Sequence, residues 1–347
     1  MYIKRILLIV VLLGLVVAGF FSYYIYTSVF SPNTAFNENE VMVYVPSDGS
    51  YRVVRDQLKD DLKDIESFDI VAQKKGYVNH VKPGRYAIKK GMNNNEIINS
   101  LRSNNIPVMV SFNNQETIGL LAGRIAEQIE ADSSALVKSM ADQSFLDSNG
   151  FSQETLLAMY VPNTYEFYWD TSAETFRDRM LKEYKTFWNE NRLQKAATLN
   201  LSPQEVITLA SIVQKETARV DERPKVAGVY INRLRAGMLL QADPTVIYAI
   251  KKKTGDFDTV IKRVLFKDLE TDSPYNTYKF TGLPPGPISM PDISSIDAVL
   301  NFEEHSYYYF VADVSRPGYH LFAKNLLQHN RNRQQYINWI NRQGINR

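Results

Sequence analysis

Among the carboxylates of this chain, Glu216 has the setting that acid–base chemistry would use. Ser202, Pro203 and Glu205 form a helix start, with an N-cap hydroxyl, a proline at the first helical position and a carboxylate that completes a capping box. Val206, Leu209, Ile212 and Val213 then repeat at helical spacing and define a buried face. Glu216 continues that stripe, while Gln214 and Lys215 point elsewhere. A carboxyl group so placed is expected to lose water, which penalises its charged form and raises its pKa. A general acid needs that property to stay protonated near neutral pH. The same spacing also suits a buried glutamate held by Arg or Lys, or a helix-end side chain turned out to solvent.

Other polar residues gather downstream. Asp221 and Glu222 precede Pro224 and read as caps for the next helix, which buries Val226, Val229, Tyr230 and Leu234 and stops at Gly237. Asn232 and Arg233 fall near its end. Asp243-Pro244 opens a third helix, where Asp243 fits an N-cap. Gln241, Thr245 and Tyr248 cluster around that start and suit either sugar hydroxyls or an ordinary polar surface. Proline- and aromatic-rich loops follow at 273–278 and 282–287. Twenty-one tyrosines offer planes for stacking on carbohydrate, although tyrosines also fill cores.

The elements that must hold these residues can be read more broadly. A chain of 347 residues suggests two globular domains, or one with an appendage. Its 44% hydrophobic and 22% charged residues match ordered proteins, and the formal net charge of +2 calls for no nucleic acid. With no cysteine, there is no disulfide scaffold, thiolate metal site or cysteine nucleophile. The four histidines (His80, His305, His320 and His329) lack the spacing of a helical metal pair, so this is not an obvious metalloenzyme.

Lys4 and Arg5 precede an apolar run over 6–21 that continues through tyrosines to 26. About 20 such residues cross a hydrocarbon core of about 30 Å. The reading is a cytoplasmic stub at 1–5, a transmembrane helix at 6–27 and a body outside the membrane. A cleaved signal peptide is the competing reading, but the run is long and Val17-Ala18-Gly19 makes a poor cleavage site. Residues 28–40 read as a flexible linker. A small α+β module is expected over 41–111, with strands at 41–45 and 84–88, helices at 51–62, 68–75 and 95–102, and a final strand within 106–112. From 112 to 347 helices dominate, including 118–129, 135–145 and 173–191 and three within 202–250. Two strands at 307–311 and 319–323 and a helix from 325 complete the chain.

Several long stretches closely resemble the MltG (YceG-like) family of endolytic murein transglycosylases. They are LASIVQKET (209–217), VAGVYINRLRAGMLLQADPTVIYA (226–249), DSPYNTY (272–278), GLPPGPI (282–288), YYYFVAD (307–313) and HLFAKNLLQHN (320–330). The segment GRYAIKKGMNNNEIINSLRSNN (84–105) is similar to that family's LysM-like module. The resemblance implies an α+β protein with an N-terminal transmembrane helix, a LysM-like module at 41–111 and a larger mixed α/β catalytic domain at 112–347. It implies that Glu216, in the KET triplet, is the catalytic acid that cleaves the β-1,4 bond between N-acetylmuramic acid and N-acetylglucosamine. The implied cut needs no metal or organic cofactor, leaves 1,6-anhydro ends on nascent peptidoglycan strands and terminates their elongation. Asn232, Gln241, Asp243, Thr245, Asn276 and Tyr278 are candidates for positioning glycan.

The chain departs from the family at Gln214, where another Glu is common, and at Ala158 and Asn163, where acidic groups are usual. None of these three positions therefore holds an essential carboxylate. The implied location is the bacterial cytoplasmic (inner) membrane, single-pass, with the catalytic domain outside and peptidoglycan synthases as partners. The alternatives are a muramidase-type hydrolase that adds Asp243 or Asp221 as a second carboxylate, and a membrane-tethered scaffold that binds peptidoglycan without cutting it.

Overall fold

The structure is a computed structural model that describes residues 2–342. The chain forms two compact units. One holds residues up to Val110 with Gln128–Ala131 and Tyr165–Ser172, and the other holds Ser111–Glu127, Asp132–Thr164 and Ala173 onward. The mixture of helices and strands bears out the α+β expectation.

The first unit opens with α1 (Tyr2–Phe30), which is 29 residues long and apolar enough to cross a membrane. Strand β1 (Glu40–Val45), helices α2 (Tyr51–Leu58) and α3 (Ile65–Lys74), strand β2 (Gly84–Lys89) and helix α4 (Asn94–Ser103) follow. β1 and β2 pair antiparallel, with Val43 opposite Tyr86 and Val45 opposite Gly84. Their inner faces and the three helices enclose a core of Val43, Val45, Val54, Leu58, Phe68, Tyr77, Ile88, Ile97 and Leu101. α2 stops four residues short of the expected helix, and Leu62 is instead bridged to Thr34.

Residues 31–40 are not the free linker that their polarity suggested. Buried Asn94 donates to the Ser28 carbonyl at 2.8 Å, and Asn33 donates to Asn94 Oδ1 at 2.7 Å. Backbone bonds from Ala35 to Asp61, from Lys63 to Asn33 and from Lys90 to Asn39 fasten the segment to the module. Polar composition marks a segment as a loop, but hydrogen-bonding groups can equally be spent on protein partners.

Strand β3 (Val108–Phe112) was expected to finish the small module, yet it pairs with β4 (Asn163–Phe167). β4 alternates as a strand with one buried face does, with Tyr165 and Phe167 buried and Thr164 and Glu166 exposed.

The second unit begins with α5 (Ile118–Ala126), α6 (Ser133–Met140) and α7 (Gln143–Asn149). The helix expected over 135–145 is therefore two helices, because Asp142 caps α7 by accepting from Phe145 N. The long helix expected from 173 divides in the same way. Asn189 accepts from Arg192 N, separating α8 (Ala173–Phe187) from α9 (Glu190–Thr198). Then come α10 (Pro203–Glu216), α11 (Arg223–Arg235), α12 (Asp243–Thr254), α13 (Ile293–Leu300), the antiparallel ribbon of β5 (Tyr309–Ala312) and β6 (His320–Ala323), and α14 (Leu326–Arg342).

α10 is the axis of this unit. It packs against α9, α11, α12 and α13, and every residue from Val206 to Val213 is buried. The expected one-sided stripe is thus a helix enclosed on all sides. Its two interior hydroxyls are satisfied, with Thr208 donating to Gln204 O and Ser211 to Thr208 O. The capping box of Ser202 and Glu205 is present as expected.

Candidate active site

Glu216 is the last residue of α10, half-buried where the enclosed helix reaches the surface. The fully buried Tyr230 hydroxyl, from α11, donates to its Oε1 at 2.7 Å. Burial pushes the Glu216 carboxyl up to about 7, and the nearby Asp243 charge pushes the same way. The Tyr230 hydrogen bond and the charge of Arg233 oppose that rise without cancelling it. The carbonyl end of the helix also disfavours an anion there. A carboxyl poised near neutrality can give up a proton and take one back in the same cycle.

Arg233 is buried on the same helix, one turn beyond Tyr230. It donates to the carbonyls of Tyr308 at 2.7 Å, Leu240 at 2.7 Å and Leu239 at 3.2 Å. Those partners are neutral, so its full charge remains to steady an ionised Glu216.

Asp243 and Tyr278 form the second pair, with the exposed Asp243 carboxylate accepting from the Tyr278 hydroxyl at 2.6 Å. Burial first, and then this bond, hold the Tyr278 hydroxyl protonated far above its usual range. Asp243 is the first residue of α12 rather than its N-cap. Ala242 takes the cap position, and no side chain caps the helix there.

The remaining candidates lie in the walls. Fully buried Asn276 donates to Leu269 O and Thr271 O at 2.8 Å each and accepts from Tyr278 N at 3.0 Å, which fixes the loop that presents Tyr278. Thr245 donates to Ala242 O at 2.7 Å and meets Thr277 Oγ1 at 2.8 Å, tying that loop to α12. Asn232 spends its amide on His305 O at 2.8 Å and Tyr307 O at 3.0 Å, anchoring the approach to β5. Gln241 is exposed in a left-handed conformation (φ +50°), and its backbone N donates to Thr277 O. The structure therefore joins Glu216 and Asp243 electrostatically, brings Tyr278 onto Asp243, and leaves Asn232, Thr245 and Asn276 bonded to protein.

Sequence reasoning passed over Tyr230, Arg233 and Glu222 as site residues. Glu222 takes the N-cap position of α11 as expected, but its side chain makes no capping bond. Buried, it accepts from Thr217 Oγ1 at 3.1 Å and from His320 N at 2.7 Å, with His320 Nδ1 at 2.8 Å. These bonds lash the turn just after Glu216 to β6. His320 packs edge-on against Phe310, which packs edge-on against Tyr230, closing a ring of side chains behind Glu216. Tyr230 carried a faint signal as a hydroxyl on an otherwise apolar helix face. Asp221 is exposed and accepts from Tyr319 OH at 3.0 Å. Gln214 is spent on Asp292 N and Ser295 Oγ. Ala158 is buried and Asn163 exposed. Among the described residues no three His, Asp or Glu side chains converge as a metal site.

A groove of about 940 Å³ begins at Asp243 and Tyr278 and continues past Leu265, Phe266, Trp339 and Ile340. Phe266 is 86% exposed, so the groove presents bare aromatic surface.

A largely helical α+β body that ends an enclosed helix in a glutamate held protonated toward neutral pH, near a carboxylate–tyrosine pair that lines an open aromatic groove, belongs to the class of arrangements that can do acid–base chemistry. Its relatives make that class particular. The chain belongs to the YceG-like family, whose model matches residues 43–335. It is 31% identical to an endolytic murein transglycosylase of Bacillus subtilis, over 93% of this chain and 91% of that protein. It is 28% identical to an endolytic murein transglycosylase of Streptococcus pneumoniae, over 92% of this chain and 62% of that longer protein. A crystal structure of a YceG-like protein from Listeria monocytogenes superposes with a TM-score of 0.56 at 29% identity, covering 85% of this chain and 99% of that one.

Proposed function

We propose that this protein is a peptidoglycan lytic transglycosylase and that Glu216 is its acid and base. One observation carries the assignment. The only carboxyl pushed up to about 7 among the described residues, Glu216, accepts a tyrosine hydroxyl and feels the charge of Asp243, which lines an open groove. Protonated Glu216 gives its proton to the glycosidic oxygen, so the N-acetylglucosamine side leaves as an alcohol while positive charge develops at the muramic anomeric carbon. The muramic C6 hydroxyl then bonds to that carbon, and its proton returns to Glu216, closing a 1,6-anhydro ring and resetting the acid. No water is consumed. Tyr230 and Arg233 stabilise the glutamate in the interval when it is ionised. Asp243, engaged by Tyr278, lines the glycan path.

Helix α1 is read as a single membrane span, with Lys4 and Arg5 on the cytoplasmic side and both folded units outside. Residues 41–111 are read as a LysM-like module, supported by the β1–α2–α3–β2 order and by the GRYAIKK stretch. Because 31–40 are bonded to that module, the span and the module move as one piece, which favours cutting close to the membrane on nascent strands beside the synthases.

Mass spectrometry of fragments released from uncrosslinked glycan strands by the full chain in detergent tests the assignment. Muramic ends one water lighter than hydrolytic ends are expected from the native chain, and none from Glu216→Gln. Reducing ends would make the protein a hydrolase with Asp243 as second carboxylate. No fragments from the native chain would make it a binding scaffold.

A further inference from the structure

The groove that leaves Asp243 and Tyr278 carries more positive charge than sugars can use. Lys262 and Arg263, on the segment after α12, and Arg333, on α14, line it together with Leu265, Phe266 and Trp339. All three cations are exposed, and none has a carboxylate partner among the described residues. By contrast, Lys215 and Lys251 in the same unit share Glu116 at 2.7 and 2.8 Å. The muramyl and glucosaminyl rings of a glycan strand are neutral, and the muramic lactyl acid is consumed in the amide to the peptide. The carboxylates on such a strand belong to its peptide stems, which also carry alanine methyl groups.

We propose that Lys262, Arg263 and Arg333 form a subsite for the carboxylates of the peptide stem carried by the glycan, with Leu265, Phe266 and Trp339 taking its apolar side chains. This rests on peptidoglycan being the ligand, as argued above. The cations sit on two separate segments that line the same groove as Leu265, Phe266 and Trp339. A groove that mixes cations with apolar side chains suits a peptide with both carboxylates and apolar groups better than the compact, doubly charged pyrophosphate at the lipid end of a nascent strand. Guanidinium groups suit the task, since each can hold a carboxylate through two parallel hydrogen bonds.

Binding to the full chain in detergent, carrying Glu216→Gln so that strands stay intact, tests this directly. Three labelled ligands are compared: strands with stems, strands stripped of stems by an amidase whose newly freed lactyl carboxylates are capped as methylamides, and such stripped and capped strands that retain the lipid pyrophosphate. Strands with stems are expected to bind at least about tenfold more tightly than stripped ones, the effect of one or two charge-assisted hydrogen bonds. Adding Arg263→Gln and Arg333→Gln is expected to abolish that difference, leaving both ligands equally bound, with the thermal transition unmoved as the check on folding. Equal binding of stemmed and stripped strands before those substitutions would overturn the subsite, as would a difference that survives them. A preference for pyrophosphate-bearing stripped strands would assign the cations to phosphate instead. The anhydro ends made by the native chain are read separately, so failure of the proposed activity is distinguishable from failure of the subsite.

Discussion

Replacing Glu216 by Gln should stabilise the protein, and only at high pH. The Glu216 carboxyl holds its proton up to about 7 in the fold, against an ordinary value of 4.5, chiefly because burial penalises its charge. The folded state therefore binds more protons than the unfolded chain between those two values. Stability from this group is complete below 4.5 and is lost as pH rises through about 7. Fully ionised, the site costs about 3 kcal/mol. Gln keeps an oxygen to accept the Tyr230 hydroxyl but never ionises. For a unit of this size that difference corresponds to a rise in melting temperature of roughly 6–12 °C. Thermal unfolding of the full chain in detergent, native and Glu216→Gln, at about pH 5 and about pH 8 measures it. The variant should exceed the native protein by most of that span at the higher pH and by little at the lower. Equal melting temperatures at both values, or a variant that is weaker at both, would refute the claim that the fold holds this carboxyl protonated.

Two substitutions should move the alkaline limb of the activity profile in opposite directions. Tyr230→Phe removes a bond that favours the ionised glutamate, so the limb should move to higher pH while the maximal rate falls about tenfold, measured as anhydro ends released against pH. Asp243→Asn removes a repelling charge, so the limb should move to lower pH, by less than about one pH step because Asp243 is solvent-screened. Glu222→Ala should strand His320 N and Thr217 Oγ1 and cost about 2–4 kcal/mol in urea unfolding. Because Glu222 acts through the turn after Glu216, its loss should lower kcat more than it raises KM, whereas a merely structural role would lower only the folded fraction.

Much of the site-bearing helix was legible from local chemistry. The Ser202–Glu205 capping box starts α10, and the apolar spacing carries Glu216 to its end, because caps and helical periodicity act within a few residues. The Asp142 and Asn189 caps are equally local, yet the apolar periodicity running across them masked two helix breaks. The polarity of 31–40 and the spacing of α10 were also incomplete guides. The first cannot tell water from Asn94 as a partner, and the second marks one buried face without excluding burial of the others.

The sequence by itself determined most of the helical stretches, though not every break between them, as well as where α10 begins and that a carboxyl would fall on its oily side. It also carried the motifs that mark the family, since these are runs of residue identity that need no geometry. Only the tertiary structure decided what faces that carboxyl. Tyr230 lies fourteen residues away in sequence and 2.7 Å away in space. His320 reaches Glu222 across 98 positions, and β3 finds β4 rather than the ribbon beside it in sequence. Hydrogen bonds and desolvation depend on which groups share a few ångströms. Chain closure over such distances is set by packing of the whole unit rather than by any local preference.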